Sequence, residues 1–222
     1  MRTSISTRSL ASSGWSVPVV LLLNTLLALM VFALCRLVFF LENYALYAAD
    51  LGHWSWGEMW EGTLRFDGAA VAYTQLLYAL FLLFPYPRWE GQVRQRLTKW
   101  TFVGVQSLCV VLNLIDAVYV QYTGRRSTIG VLQEFSHESN IGRIFLAELL
   151  PHWYLFVAGA VLIFLLYRCY VSLPHPTSPF RPKSYYFSRI GTLLGFALLA
   201  VVGMRGGYLG GQRPIRLTDA NI

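Results

Sequence analysis

Apolar residues in this chain run on for longer than any soluble element needs. Five stretches, about 16–40, 68–86, 101–122, 149–170 and 188–207, are nearly free of charge. Each approaches the roughly 20 residues that carry a helix across the hydrocarbon core of a bilayer. The second is diluted at its start by Tyr73, Thr74 and Gln75, and the fifth is short and glycine-rich at its end. Backbone polar groups in lipid have no water to bond, so each run is predicted to be helical. Between the first two runs, over 41–67, Leu51, Trp54, Met59, Trp60, Leu64 and Phe66 form an apolar stripe with acids between them. That pattern predicts one or two short amphipathic helices lying in the headgroup layer. The expected fold is an all-α integral membrane protein, with a five-span domain over 1–207 and the start of a linker over 208–222.

Composition excludes a soluble domain: 55% of the 222 residues are hydrophobic, 13% are charged, and the mean hydropathy is +0.48. Charge then orients the spans, because short cytoplasmic loops collect Lys and Arg. With the N-terminus inside, the inner segments hold ten basic residues (Arg2, Arg8, Arg88, Arg94, Arg96, Lys99, Arg168, Arg181, Lys183 and Arg189) against one acid, Glu90. The outer segments hold seven basic residues against nine acids. An inside N-terminus, an outside C-terminus and five spans are mutually consistent. The net charge of +7 is thereby mostly topology, and nucleic acid is not an expected partner. The basic inner segment 87–99 is amphipathic and suits anionic lipid, while the proline-rich segment 171–187 is expected to be extended.

The first run is too long for the apolar core of a signal peptide and has no small-residue cleavage site after it, so it reads as an uncleaved anchor. Cys35, Cys109 and Cys169 lie in or at the end of spans without paired spacing, and read as small apolar fillers. His53, His137, His152 and His175 form no ligand pair, so no metal site is expected, and His152, beside Pro151 and Trp153, sits at an ordinary interfacial position. No nucleotide-binding loop or hydrolase elbow occurs, and no internal repeat stands out.

The chemistry therefore rests on charges inside the runs or at their ends. Arg36, Asp67, Asp116, Glu148 and Arg205 come from five different segments and fall at one edge of the membrane in this topology. Charges in hydrocarbon are expensive and usually face a protein interior, pair with one another or mark a site. Asn113, Asp116 and Tyr119 recur at helical spacing toward Arg125 and Arg126. Two readings stand: a polar wall whose arginines grip phosphate through forked donors, or interhelical glue with arginines resting on lipid phosphates. Arg36 can snorkel outward or pair with an acid. Asp67 can cap its helix.

Three stretches resemble the membrane-embedded N-terminal part of the lipoteichoic acid synthase family, phosphoglycerol transferases of the alkaline phosphatase and sulfatase superfamily. They are Gly62-Thr63-Leu64-Arg65-Phe66-Asp67 leading to Tyr73; Asn113, Asp116 and Tyr119 followed by Arg125-Arg126-Ser127-Thr128; and Arg205-Gly206-Gly207 followed by Arg213-Pro214 and Asp219-Ala220. The resemblance implies a bacterial cytoplasmic membrane protein whose outer face receives a phospholipid headgroup of phosphoglycerol or phosphoethanolamine type. Arg65, Arg125, Arg126 and Arg205 would face phosphate, with Asp67, Asp116 and Tyr119 beside them. Arg36, Asn113 and Glu148 would make structural polar pairs. Family members continue into an extracytoplasmic catalytic domain with a threonine nucleophile and a divalent metal, commonly manganese. The sequence stops at Ile222, where that linker would begin, so the chain is expected to catalyse nothing alone and to work with a catalytic domain in cis or in trans. A non-catalytic scaffold subunit is the alternative, and a small transporter ranks below it, because the inner halves of the spans look nearly featureless apart from Asn24 and Gln106.

Overall fold

The computed structural model describes residues 16–48, 56–84, 92–124, 150–173 and 183–205. All regular structure among them is helical: α1 (Val17–Glu42), α2 (Tyr44–Tyr47), α3 (Trp56–Leu83), α4 (Gln92–Thr123), α5 (Trp153–Cys169) and α6 (Lys183–Met204). Four of these, α1, α3, α4 and α6, contain stretches long and apolar enough to cross a membrane. The chain thus has the make-up of a multi-pass membrane protein. Helix α5 is equally apolar but has only 17 residues, about 25 Å at 1.5 Å per residue.

Contacts fix the helix directions. Arg36 of α1 meets Asp67 of α3, whereas Asn24, one and a half dozen ångströms or so back along α1, meets Tyr78 of α3. The two helices are therefore antiparallel. Gln121 and Tyr154 both reach Glu42, so α4 ends and α5 starts beside the end of α1. Arg189 reaches Leu82, which sets the start of α6 beside the end of α3. The five long helices thus alternate in direction. We call the end where α1 begins proximal and the other end distal.

Helix α1 is central and touches α3, α4, α5 and α6. Its buried residues, Val20, Leu21, Asn24, Leu27, Ala28, Val31, Phe32 and Cys35, follow helical spacing. The opposite face, with Leu22, Leu26, Met30 and Leu37, is equally apolar yet exposed. A helix apolar all round is expected where the surroundings are lipid. Helix α6 lies mainly on α3, with Gly203 against Ala72 and the carbonyl of Gly68. Only 11% of its apolar window is buried within the chain. Small residues allow this close approach, as is common between helices in membranes.

The boundaries differ from those expected. Residues 56–67 continue α3 and do not form separate short helices; the four-residue α2 is the one short helix described over 41–67. Helix α4 likewise starts at Gln92, so its basic first turns extend the span. Neither segment holds a proline, and extending a helix satisfies each added backbone group at little cost. Helix α4 ends at Gly124, whose φ of 65° suits glycine and whose N–H donates to Val120 O at 2.9 Å. Arg125 and Arg126 follow in sequence, and they, Glu148, His137 and the 208–222 linker lie outside the described residues.

Candidate functional site

Polar side chains gather at two levels of the bundle. The distal level begins with Arg36, whose guanidinium makes a forked ion pair with Asp67: Nη2 donates to Oδ1 and Nε donates to Oδ2 at 3.2 Å. Arg36 lies about 9 Å inside the end of α1, counting six residues at 1.5 Å each, and its side chain keeps 35% exposure against 14% for Asp67. A fork of this kind adds geometric definition to charge attraction. Asp116 of α4 is buried at the same end, and Tyr119, one turn on, is half-buried.

Glu42, the last residue of α1, is a second centre that the sequence did not mark. Its carboxylate accepts from Tyr154 Oη at 2.7 and 2.8 Å and from Gln121 Nε2 at 3.0 Å, and its backbone carbonyl accepts from Gln121 at 3.2 Å. His152 Nε2 stands 3.3 Å from the same carboxylate. Beside it, Asn43 donates from Nδ2 to Phe39 O and to Ala117 O, both at 2.9 Å. One carboxylate thus ties α1, α4 and α5 together. His152 therefore does more than sit at an interface: it borders a polar centre.

The remaining expected residues scatter. Arg65 is exposed on α3, two positions before Asp67, and Arg205 is exposed in the turn after α6. Asn113 donates from Nδ2 to Cys109 O of its own helix at 2.9 Å, a local bond and not the link to a neighbouring helix that glue requires. Arg189 departs from the single-edge pattern. It is buried at the proximal end, six residues into α6, and its Nη1 donates to Leu82 O at 2.5 Å, where an arginine suits the open carbonyls ending α3.

The proximal level is richer than the sequence suggested. Asn24 Nδ2 donates to Tyr78 Oη at 2.6 Å and to Val171 O at 2.9 Å, while Val171 N donates back to Asn24 Oδ1 at 3.0 Å. This paired bond satisfies the backbone just past the end of α5. Tyr78, Phe102 and Tyr170 pack as an aromatic trio with centroids 5.1 to 6.3 Å apart. Gln106 Nε2 donates to Thr74 Oγ1 at 3.2 Å, and Gln75 is fully buried next to Asn24 O. The expectation of featureless inner halves is corrected here: Gln75, Tyr78, Thr98 and Tyr170 join Asn24 and Gln106. Of these only Gln75 stands out in the sequence as diluting an apolar run, beside Asn24 and Gln106, and helix pairing is needed to bring them together.

Between the two levels lies an apolar layer that includes Val31, Phe32, Val71, Val110 and Leu114, all buried. Among the described residues no three His, Cys, Asp or Glu side chains converge as a metal-binding set. Compared with family models, curated proteins and solved structures, the chain finds no match in any of the three.

Proposed function

We propose that this chain is the membrane module of a phospholipid-headgroup transferase, crossing a bacterial cytoplasmic membrane five times with its N-terminus inside and C-terminus outside. It anchors an extracytoplasmic catalytic domain, in cis or in trans, and presents a phosphoglycerol- or phosphoethanolamine-type headgroup at its distal end. The divalent metal of such an enzyme belongs, in this reading, to the catalytic domain. The observation that carries the reading is the concentration at one end of the bundle of Arg36, Asp67, Asp116 and Glu42, within helices otherwise suited to lipid. Arg125 and Arg126 follow α4 in sequence, and Arg65 and Arg205 are exposed at that end. Forked guanidinium donors suit a phosphate.

A second reading is a scaffold subunit without a lipid site. It is favoured by the fact that Arg36, Glu42, Asn43 and Asn24 each make a bond that joins one segment of the bundle to another. One experiment separates the two: an immunoblot of native membranes with an antibody to 41–67, paired with a headgroup-transfer assay on Arg125→Gln/Arg126→Gln. A band well above the 25.2 kDa of this chain, with transfer lost in the variant, supports the transferase module. Unchanged transfer with a correctly inserted variant rejects the lipid site and leaves the scaffold. Transfer by the purified 222-residue chain alone would overturn the assignment of catalysis to another domain.

A further inference from the structure

The described residues of the proximal end carry an unbalanced charge. Its described segments hold Arg94, Arg96 and Lys99 on α4, Arg168 on α5, and Lys183 and Arg189 on α6. The acids among the described residues, Glu42, Glu58, Glu61, Asp67 and Asp116, all lie on the distal portions of their helices. Arg189 is committed to the carbonyl of Leu82, whereas Lys99 of α4 lies against the end of α5.

That contact lies in the seam between the first turns of α4 and the last turn of α5. Gln95 Nε2 donates to Leu173 O at 2.7 Å, and Tyr170 Oη donates to Thr98 Oγ1 at 3.4 Å, so the two helix ends are tied. Lys99 Nζ lies 3.6 Å above the Tyr167 ring and 6.0 Å from that of Tyr170. The ring attracts the ammonium to its face without supplying an anionic counter-charge. Trp100, exposed, places its ring 6.1 Å from Tyr167. Arg96 is one turn before Trp100 on the same face, Arg168 follows Tyr167 in the chain, and both are exposed.

We propose that this seam binds the headgroup of an anionic phospholipid, with Arg96, Lys99 and Arg168 meeting the phosphate and Trp100 and Tyr167 lying beside the glycerol region. Basic clefts between membrane helices suit such headgroups, and Trp and Tyr are favoured at that depth. The lipid phosphate supplies the counter-charge that the described part of this end lacks. The site rests on the chain being embedded in lipid and is independent of the distal headgroup site, of the catalytic domain and of which end faces the cytoplasm.

The test is native mass spectrometry of the purified full chain from micelles containing equal phosphatidylglycerol and phosphatidylcholine. Wild type is expected to retain phosphatidylglycerol with at least about tenfold preference, and Arg96→Gln/Lys99→Gln/Arg168→Gln to lose it, at roughly fivefold per charge removed. Lys99→Arg keeps the charge and is expected to keep the preference. If the triple variant does not fold, the three single variants replace it, each expected to lose about fivefold. Three outcomes overturn the site: no preference in wild type, an undiminished preference in folded variants, or displacement of the lipid by inorganic phosphate at equal concentration. A fourth does so too: preference lost in Arg36→Gln/Asp67→Asn but kept in the triple variant places the selectivity at the distal end.

Discussion

Replacing Arg36 tests whether the distal polar level holds the bundle together. Removing one partner of a fully buried ion pair costs about 3–5 kcal/mol, because the other charge is left uncompensated. Here Asp67 keeps 14% of its side-chain exposure and Arg36 keeps 35%, so screening by solvent lowers the figure. Arg36→Gln leaves the more buried group alone and is expected to cost about 2–3 kcal/mol. Asp67→Asn leaves an arginine that can extend outward along its stem, and is expected to cost about 1–2 kcal/mol. The double variant removes both charges, so it should lose less than the sum of the singles, with a coupling of about 1–2 kcal/mol. The assay is reversible titration of the purified chain with sodium dodecyl sulfate in mixed micelles, followed by circular dichroism. Additive losses, or a loss below about 0.5 kcal/mol for Arg36→Gln, would refute the reasoning and show that the fork contributes nothing to holding α1 on α3.

Four further outcomes follow from the same geometry. Asn24→Ala strands both backbone groups of Val171 and removes one of the two partners of the Tyr78 hydroxyl, which keeps Tyr170, and is expected to cost about 2–4 kcal/mol by the same titration. Glu42→Ala frees Gln121 and Tyr154; hydrogen exchange should quicken in the first turn of α5 and leave its last turn unchanged. At Gly159 an added Cβ meets Leu114 Cδ1 at 2.9 Å, so Gly159→Val forces the Leu114 side chain to repack between α4 and α5 and is expected to cost about 1–3 kcal/mol, against a smaller loss for Ala. Gln106→Met removes an amide whose Oε1 is buried without a hydrogen-bond partner. Thr74 still donates to Val71 O at 3.2 Å, so stability should be unchanged or higher.

The membrane character of the fold was legible because hydrocarbon imposes it directly on composition: α1, α3, α4 and α6 coincide with long runs that hold few charges. Boundaries were less legible. Nothing in the sequence stops α3 at residue 68 or α4 at residue 101, and their polar first turns look like loops until the backbone is seen to continue. The polar centres were legible only as an inventory. Arg36 and Asp67 stand out because charge is rare in such runs, but Glu42 ends its helix where an acid looks ordinary, and Gln121, His152 and Tyr154 are unremarkable until α4 and α5 bring them to it. Gln75 and Tyr78 illustrate the same limit. Gln75 looks like a weak point of its span and Tyr78 carries no signal in the sequence, whereas pairing with α1 turns both into its contacts.

The two levels also bear on transport. A path for a polar solute would need polar partners at each depth, since an unsatisfied group in hydrocarbon costs several kcal/mol. From Gln75 and Gln106 to Asp67 and Asp116 the helices advance eight and ten residues, about 12–15 Å. The interior they cross is filled by Val31, Phe32, Val71, Val110 and Leu114. Opening that layer would mean separating α1 from α3 and α4 while both levels hold them together, Asn24 on one side and Arg36 and Asn43 on the other. The arrangement therefore opposes alternating access. It favours a rigid bundle among the described residues, and α6, packed mainly on α3 with most of its apolar window outward, is the helix most open to a neighbour in the membrane.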